Sequence, residues 1–191
     1  MNHTRSVALD FEGVCGDAMT AIENHMEIDG DINQDSWGFE PHIEDEFRAA
    51  GEILFGDHVE SIEPYDENIG ELVDLLRESH EVEILTNRHG HDESIQFWLE
   101  KHGIEVDGFR SNPGGTDKSG FEKSSTNPDG FTAFIDDKPT LAYNVELLFL
   151  VDQPWNQHIE ADNEAVIRVG ENGVGALRDV LNEMYDGPIR D

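Results

Sequence analysis

The chain is short of positive charge. Its 191 residues carry 12 lysines and arginines, four of them lysines, against 43 aspartates and glutamates, for a formal net charge of −31. Such a balance repels polyphosphate backbones and anionic lipid, and so excludes a basic-groove binder of nucleic acid polymers and a membrane partner. Cysteine is nearly absent: Cys15 is the only one, so no internal disulfide can form and a reducing compartment is expected. With no base assigned to it, that thiol reads as a small packing residue. No run approaches the ~18 apolar residues that a membrane span needs, and the amino terminus has no signal-like apolar core. A soluble cytoplasmic protein is expected. The acid-dense, lysine-poor composition suits a cytoplasm at high salt, where screening removes most self-repulsion, so a halophilic origin is expected as well. Disorder does not fit, because apolar segments of regular spacing run through the whole chain.

Those segments alternate between strand and helix. Ser6–Leu9 reads as a buried strand, followed by helical spacing at Met19, Ile22 and Met26 within 17–28, and by a helix over 41–54 with Pro41 in its first turn. Ile69, Leu72, Val73 and Leu76 make one apolar face of a helix over 66–80. A strand over 81–85 follows, then a helix with Ile95, Trp98, Leu99 and His102 on one side and Gly103 as its stop. Further strands are predicted over 106–110, 131–135, 146–151 and 164–169, and a closing helix around Leu177, Val180, Leu181 and Met184. The alternation argues a parallel sheet covered by helices on both faces. Residues 111–130, rich in Gly, Ser, Pro and Asn, form a long loop of the kind that compact domains keep for function.

Three strand ends carry chemistry. Ser6–Leu9 runs into Asp10-Phe11-Glu12-Gly13-Val14, 82–85 runs into Thr86-Asn87-Arg88, and 131–135 runs into Asp136-Asp137. Open α/β sheets place their sites at such carboxyl ends, and Gly13 lets the chain turn sharply away. These stretches, in this order, resemble the haloacid dehalogenase-like (HAD) phosphatase superfamily. Ile135-Asp136-Asp137-Lys138 with Val151-Asp152-Gln153-Pro154-Trp155-Asn156 looks most like its 5'-nucleotidase branch, which includes the 5'(3')-deoxyribonucleotidases. The resemblance spans about residues 5–156 in separate islands.

The resemblance implies a Rossmann-like α/β core over 1–16 and 66–191, with a small helical cap inserted after the first strand over 17–65. It implies a Mg²⁺-dependent phosphatase of a small phosphate monoester, such as a 5'-(deoxy)nucleoside monophosphate. Asp10 would be the nucleophile and a metal ligand, and Asp136 and Asp137 would complete the metal site with the backbone carbonyl of Glu12. Thr86 and the N–H of Asn87 would bind phosphate oxygens. A lysine near the Asp136 strand is also required, and its position favours Lys123 over Lys118. Arg88 is a candidate substrate contact, and Trp37, Phe39 and Phe55 are candidates to stack a base. Glu12 departs from the family's aspartate general acid and base, and its extra methylene moves the proton by more than an ångström, an error that can cost about a hundredfold in rate.

Other patterns carry less. Asp29 to Glu40 has calcium-loop spacing but Gln34 where glycine is needed. His89 and His91 lack a third zinc ligand and read as loop or helix-start residues. Residues 112–119 lack the frame of a P-loop. Two alternatives stay open: a catalytically impaired binding or regulatory protein, and a phosphatase of another metabolite such as a sugar phosphate.

Overall fold

The computed structural model describes residues 6–26, 41–112, 118–123, 127, 129–157 and 166–169. Its elements follow the alternation of the sequence: β1 (Ser6–Leu9), α1 (Ala18–Met26), α2 (Pro41–Asp57), α3 (Ile69–Arg77), β2 (Glu81–Thr86), α4 (Asp92–Lys101), β3 (Gly108–Ser111), β4 (Ala133–Asp136), β5 (Leu148–Val151) and β6 (Val166–Val169). The calcium-like loop, Trp37, Phe39 and the closing helix lie outside the described residues.

The six strands form one sheet in the order β3-β2-β1-β4-β5-β6, and every pairing is parallel. All four residues of β1 are buried, as are those of β4 and β5, which is the signature of a sheet covered on both faces. Side chains alternate between two apolar cores. Val7, Leu9, Val82, Ile84 and Ile135 pack with α1, α2, α3 and α4, whereas Ala8, Leu85, Phe134, Leu148 and Leu150 pack with Phe131, Leu141 and Val145. Ala18, Ile22, Ala50, Leu54, Phe55, Val59 and Ile62, from the segment read as a cap, belong to the first of these cores.

Trp98 is wholly buried on α4, where its indole N–H donates to the Ile62 carbonyl at 2.7 Å and its ring meets Phe11 edge-on at 5.0 Å. The helix stops where expected. Gly103 adopts φ 66°, its N–H donates to Glu100 and that of Ile104 to Leu99, the paired bonds of a Schellman ending. β3 begins two residues later than predicted because a side chain replaces a backbone carbonyl at its start: the Asp107 N–H donates to the Val82 carbonyl at 2.7 Å, but the Val82 N–H is taken by the Asp107 carboxylate at 2.9 Å, which also pairs with Arg77. Among the described residues, no helix is long and apolar enough to cross a membrane.

Candidate active site

Chain order fixes where the site must be. From β1 the connection runs to β2 on one side, while β4 lies on the other side, so the sheet order reverses beside β1. In open parallel sheets, a crevice opens at the carboxyl ends of the strands flanking such a reversal. β2 and β4 end there in Thr86 and Asp136, and Asp10 directly follows β1.

The carboxylates of Asp10, Asp136 and Asp137 converge, each offering an oxygen within 4.8 Å of the others, and all three residues are buried. Asp10 Oδ1 accepts the Phe11 N–H at 2.7 Å, and Asp136 Oδ1 accepts that of Lys138 at 2.8 Å. Lys118 enters between them. It is 1% exposed, and its Nζ lies 2.8 Å from Asp10 Oδ1 and 2.8 Å from Asp136 Oδ2. The lysine that meets the acids is therefore Lys118 and not Lys123, which nearness along the chain favours. Lys123 is half-buried and is tied to the start of the next segment by its own N–H, which donates to the Phe131 carbonyl at 2.7 Å. The return of the chain at Phe131 sets which side chain reaches the acids, and sequence distance does not encode it.

One ammonium does not balance three buried carboxylates. Burial, with the repulsion of Asp136 added and the attraction of Lys118 set against it, pushes Asp10 up to about 7. Burial and the charges of Asp136 and Asp10 likewise hold Asp137 well above the ordinary carboxylate range. Burial also works against the charge of Lys118, but Asp10 and Asp136 outweigh it and hold its ammonium above the usual lysine range. The Asp137 Oδ1 is buried and has no hydrogen-bond partner among the described residues. Excess negative charge, hard oxygen donors and an orphaned carboxylate oxygen together fit a small divalent cation.

Asp137 is held by the segment that follows β5. Its Oδ2 accepts the Trp155 indole N–H at 3.1 Å, and its carbonyl accepts the Asn156 amide at 2.8 Å. Gln153 donates to the Gly13 carbonyl at 2.7 Å, so 153–156 walls the first turn as well as Asp137. Gly13 has φ 76°, and a Cβ there would lie 2.5 Å from Asp137 Oδ2, so only glycine allows the close approach.

On the other side, Thr86 is wholly buried, and its hydroxyl accepts the Arg88 N–H at 3.0 Å. Asn87 Oδ1 accepts from the Asn112 amide at 2.7 Å, while the Asn112 N–H donates to the Thr86 carbonyl at 2.7 Å. Asn112 is a buried residue of the site's frame that the sequence reading missed; its only signal is that it directly follows β3 at the same sheet edge. The Arg88 guanidinium does not stand free: Nη2 lies 2.5 Å from Glu12 Oε1, and the group stacks over Phe55 at 4.6 Å. Phe55 is itself 0% exposed, so it is packing and not a surface for a base. His91 pairs with Glu52 at 2.9 Å and directly precedes α4, as a helix-start residue would. Cys15 is buried, and burial together with the Asp10 charge pushes its thiol up, which leaves it inert.

A six-stranded parallel sheet in this order, flanked by helices, matches the fold of solved haloacid dehalogenase-like hydrolases. No protein-family model matches the sequence, and no curated protein matches it. Solved structures do. A haloacid dehalogenase-like hydrolase from Streptococcus pneumoniae superposes with a TM-score of 0.65 at 11% identity, over 96% of this chain and 100% of that one. A phosphoserine phosphatase in its apo form gives 0.58 at 11% identity, over 94% and 98%. A protein from Bacillus subtilis assigned as a HAD-hydrolase, in a structure bound to magnesium, gives 0.53 at 12% identity, over 94% and 99%. The superfamily resemblance read from the sequence thus holds at the level of the fold.

Proposed function

We propose that the protein is a Mg²⁺-dependent phosphomonoesterase that works through an aspartyl-phosphate. One observation carries this reading: three buried carboxylates and one buried lysine gather at the reversal point of a HAD-type sheet. Asp10, Asp136, Asp137 and the Glu12 carbonyl would hold the cation. When bound, it supplies charge neutralisation between the anionic nucleophile and the dianionic ester. An Asp10 oxygen bonds to phosphorus as the ester P–O bond breaks, and Glu12 gives its proton to the departing oxygen. Water then attacks the same phosphorus, the aspartyl O–P bond breaks, and the water proton returns to Glu12. Lys118 fixes the orientation of Asp10 and offsets the incoming charge, while Thr86 and the Asn87 N–H hold the phosphoryl oxygens.

The substrate is read as a small phosphate monoester. Within that class, Asp136-Asp137 and the 151–156 segment, which is hydrogen-bonded to Asp137, support a 5'-(deoxy)nucleoside monophosphate. Residues 17–65 are read as the cap that chooses it, and the acid excess as adaptation to a salt-rich cytoplasm. The test is phosphate release from a panel of nucleotides, sugar phosphates and phosphoserine at molar salt, with Mg²⁺ or with chelator. Turnover lost on chelation and largest for the nucleotides is expected. No release from any ester by folded, Mg²⁺-supplied protein overturns the reading. That outcome is what a second reading expects, a phosphate-binding protein without turnover, which the glutamate at position 12 favours, since it stands where the resembling family has aspartate.

A further inference from the structure

Glu12 stands one methylene too far out for the role that the proposed chemistry gives it, and its neighbours show how it is held. Arg88 arises two residues beyond the end of β2, and its backbone is fixed by the bond from its N–H to Thr86 Oγ1. Its side chain then crosses to α2, where the guanidinium lies over the buried Phe55 ring, and a Cβ on Gly51 would come within 3.1 Å of Nη1. From that seat Nη2 reaches Glu12 Oε1 at 2.5 Å. The Arg88 side chain is 17% exposed, and burial alone would oppose its charge, but the Glu12 carboxylate beside it outweighs that effect.

We infer that Arg88 is a positioning residue for Glu12. A planar guanidinium braced by an aromatic face and a glycine is a rigid anchor, and it takes up the freedom that the longer side chain adds. The inference rests on the phosphatase reading and adds to it: the unusual glutamate and the arginine act as one unit. It also ties the acid–base group to α2, so that the helix which brings Phe55 and Gly51 also sets where the proton is delivered.

A double-mutant cycle with Glu12→Asp tests this. An aspartate carboxylate falls short by one C–C bond, about 1.5 Å, which takes it from 2.5 Å to beyond hydrogen-bond reach of Arg88. In the native background, Arg88→Met is expected to lower kcat by about 10- to 100-fold with KM changed by less than about 2-fold. In the Glu12→Asp background, the same change should move kcat by less than about 2-fold. Equal losses in both backgrounds, or a loss confined to KM as for a substrate contact, overturn the inference. Thermal melts establish that each variant is folded; if Arg88→Met is not, Arg88→Lys, which keeps the charge and loses the fork, is held to the same background dependence. A wild-type protein without turnover overturns the phosphatase reading itself, which separates that failure from an Arg88 that proves silent in an active enzyme.

Discussion

On the proposed phosphatase reading, replacing Asp10 by asparagine should abolish phosphate release and stabilise the metal-free protein. The carboxyl group is buried, and it is displaced from its ordinary 3.8 to about 7. At about 1.4 kcal/mol per pH unit, ionising it within the folded chain costs about 4 kcal/mol once the pH exceeds 7. The sign follows from proton counts. Between about pH 4 and 7 the folded state holds a proton that the unfolded state has lost, so wild-type stability falls as pH rises through that window. Asparagine has the same shape and cannot ionise. Denaturant melts in chelator at fixed molar salt should therefore show Asp10→Asn and wild type alike near pH 4. The gap should open up to about pH 7 and hold at about 4 kcal/mol above it. Fixed salt matters, since acid also relieves the repulsion of a chain at −31, and the difference between the two proteins cancels that background. A gap that does not change with pH, or a mutant less stable than wild type at pH 8, would refute the electrostatic reasoning. Phosphate release by Asp10→Asn at the wild-type rate would remove it as nucleophile.

Lys118→Met removes the ammonium between Asp10 and Asp136, and should cost about 3–5 kcal/mol in chelator at pH 8 and abolish phosphate release. Gly13→Ala forces a side chain into a φ of 76° and against Asp137 Oδ2; a loss of about 1–3 kcal/mol in melts is expected, with weaker Mg²⁺ binding by calorimetry.

The parts of this molecule that obey local rules were legible in the sequence. Short apolar runs marked β1 and β2, and period-3.6 faces marked α3 and α4, because burial of those residues is what forms the elements. The acids of the site could be read because strand ends are punctuated by them, so Asp10, Asp136 and Thr86 stand at the same sheet edge. What failed was reach. Lys123 is nearer to β4 in sequence, yet the bonds between Phe131 and residues 121 and 123 turn the chain back and leave Lys118 buried among the carboxylates. The pairing of Arg88 with Glu12 was not legible, because a contact across 76 residues has no local signature. Asn112 escaped for the same reason, being a frame residue whose partners, Thr86 and Asn87, come from another strand.

Phe11 lies between the two acids of the first motif, fully buried, with its ring against Trp98 at 5.0 Å and Phe55 at 5.9 Å. The residue separating the proposed nucleophile from the proposed proton donor is thus a plug in the interior, and the backbone that carries both acids cannot shift without drawing an aromatic ring out of close packing. A substitution in those three rings is consequently expected to act differently from an ordinary core change. A change of one ring's size, remote from any bound phosphate, alters the spacing of the two acids and surfaces as a kinetic phenotype in a protein that still folds.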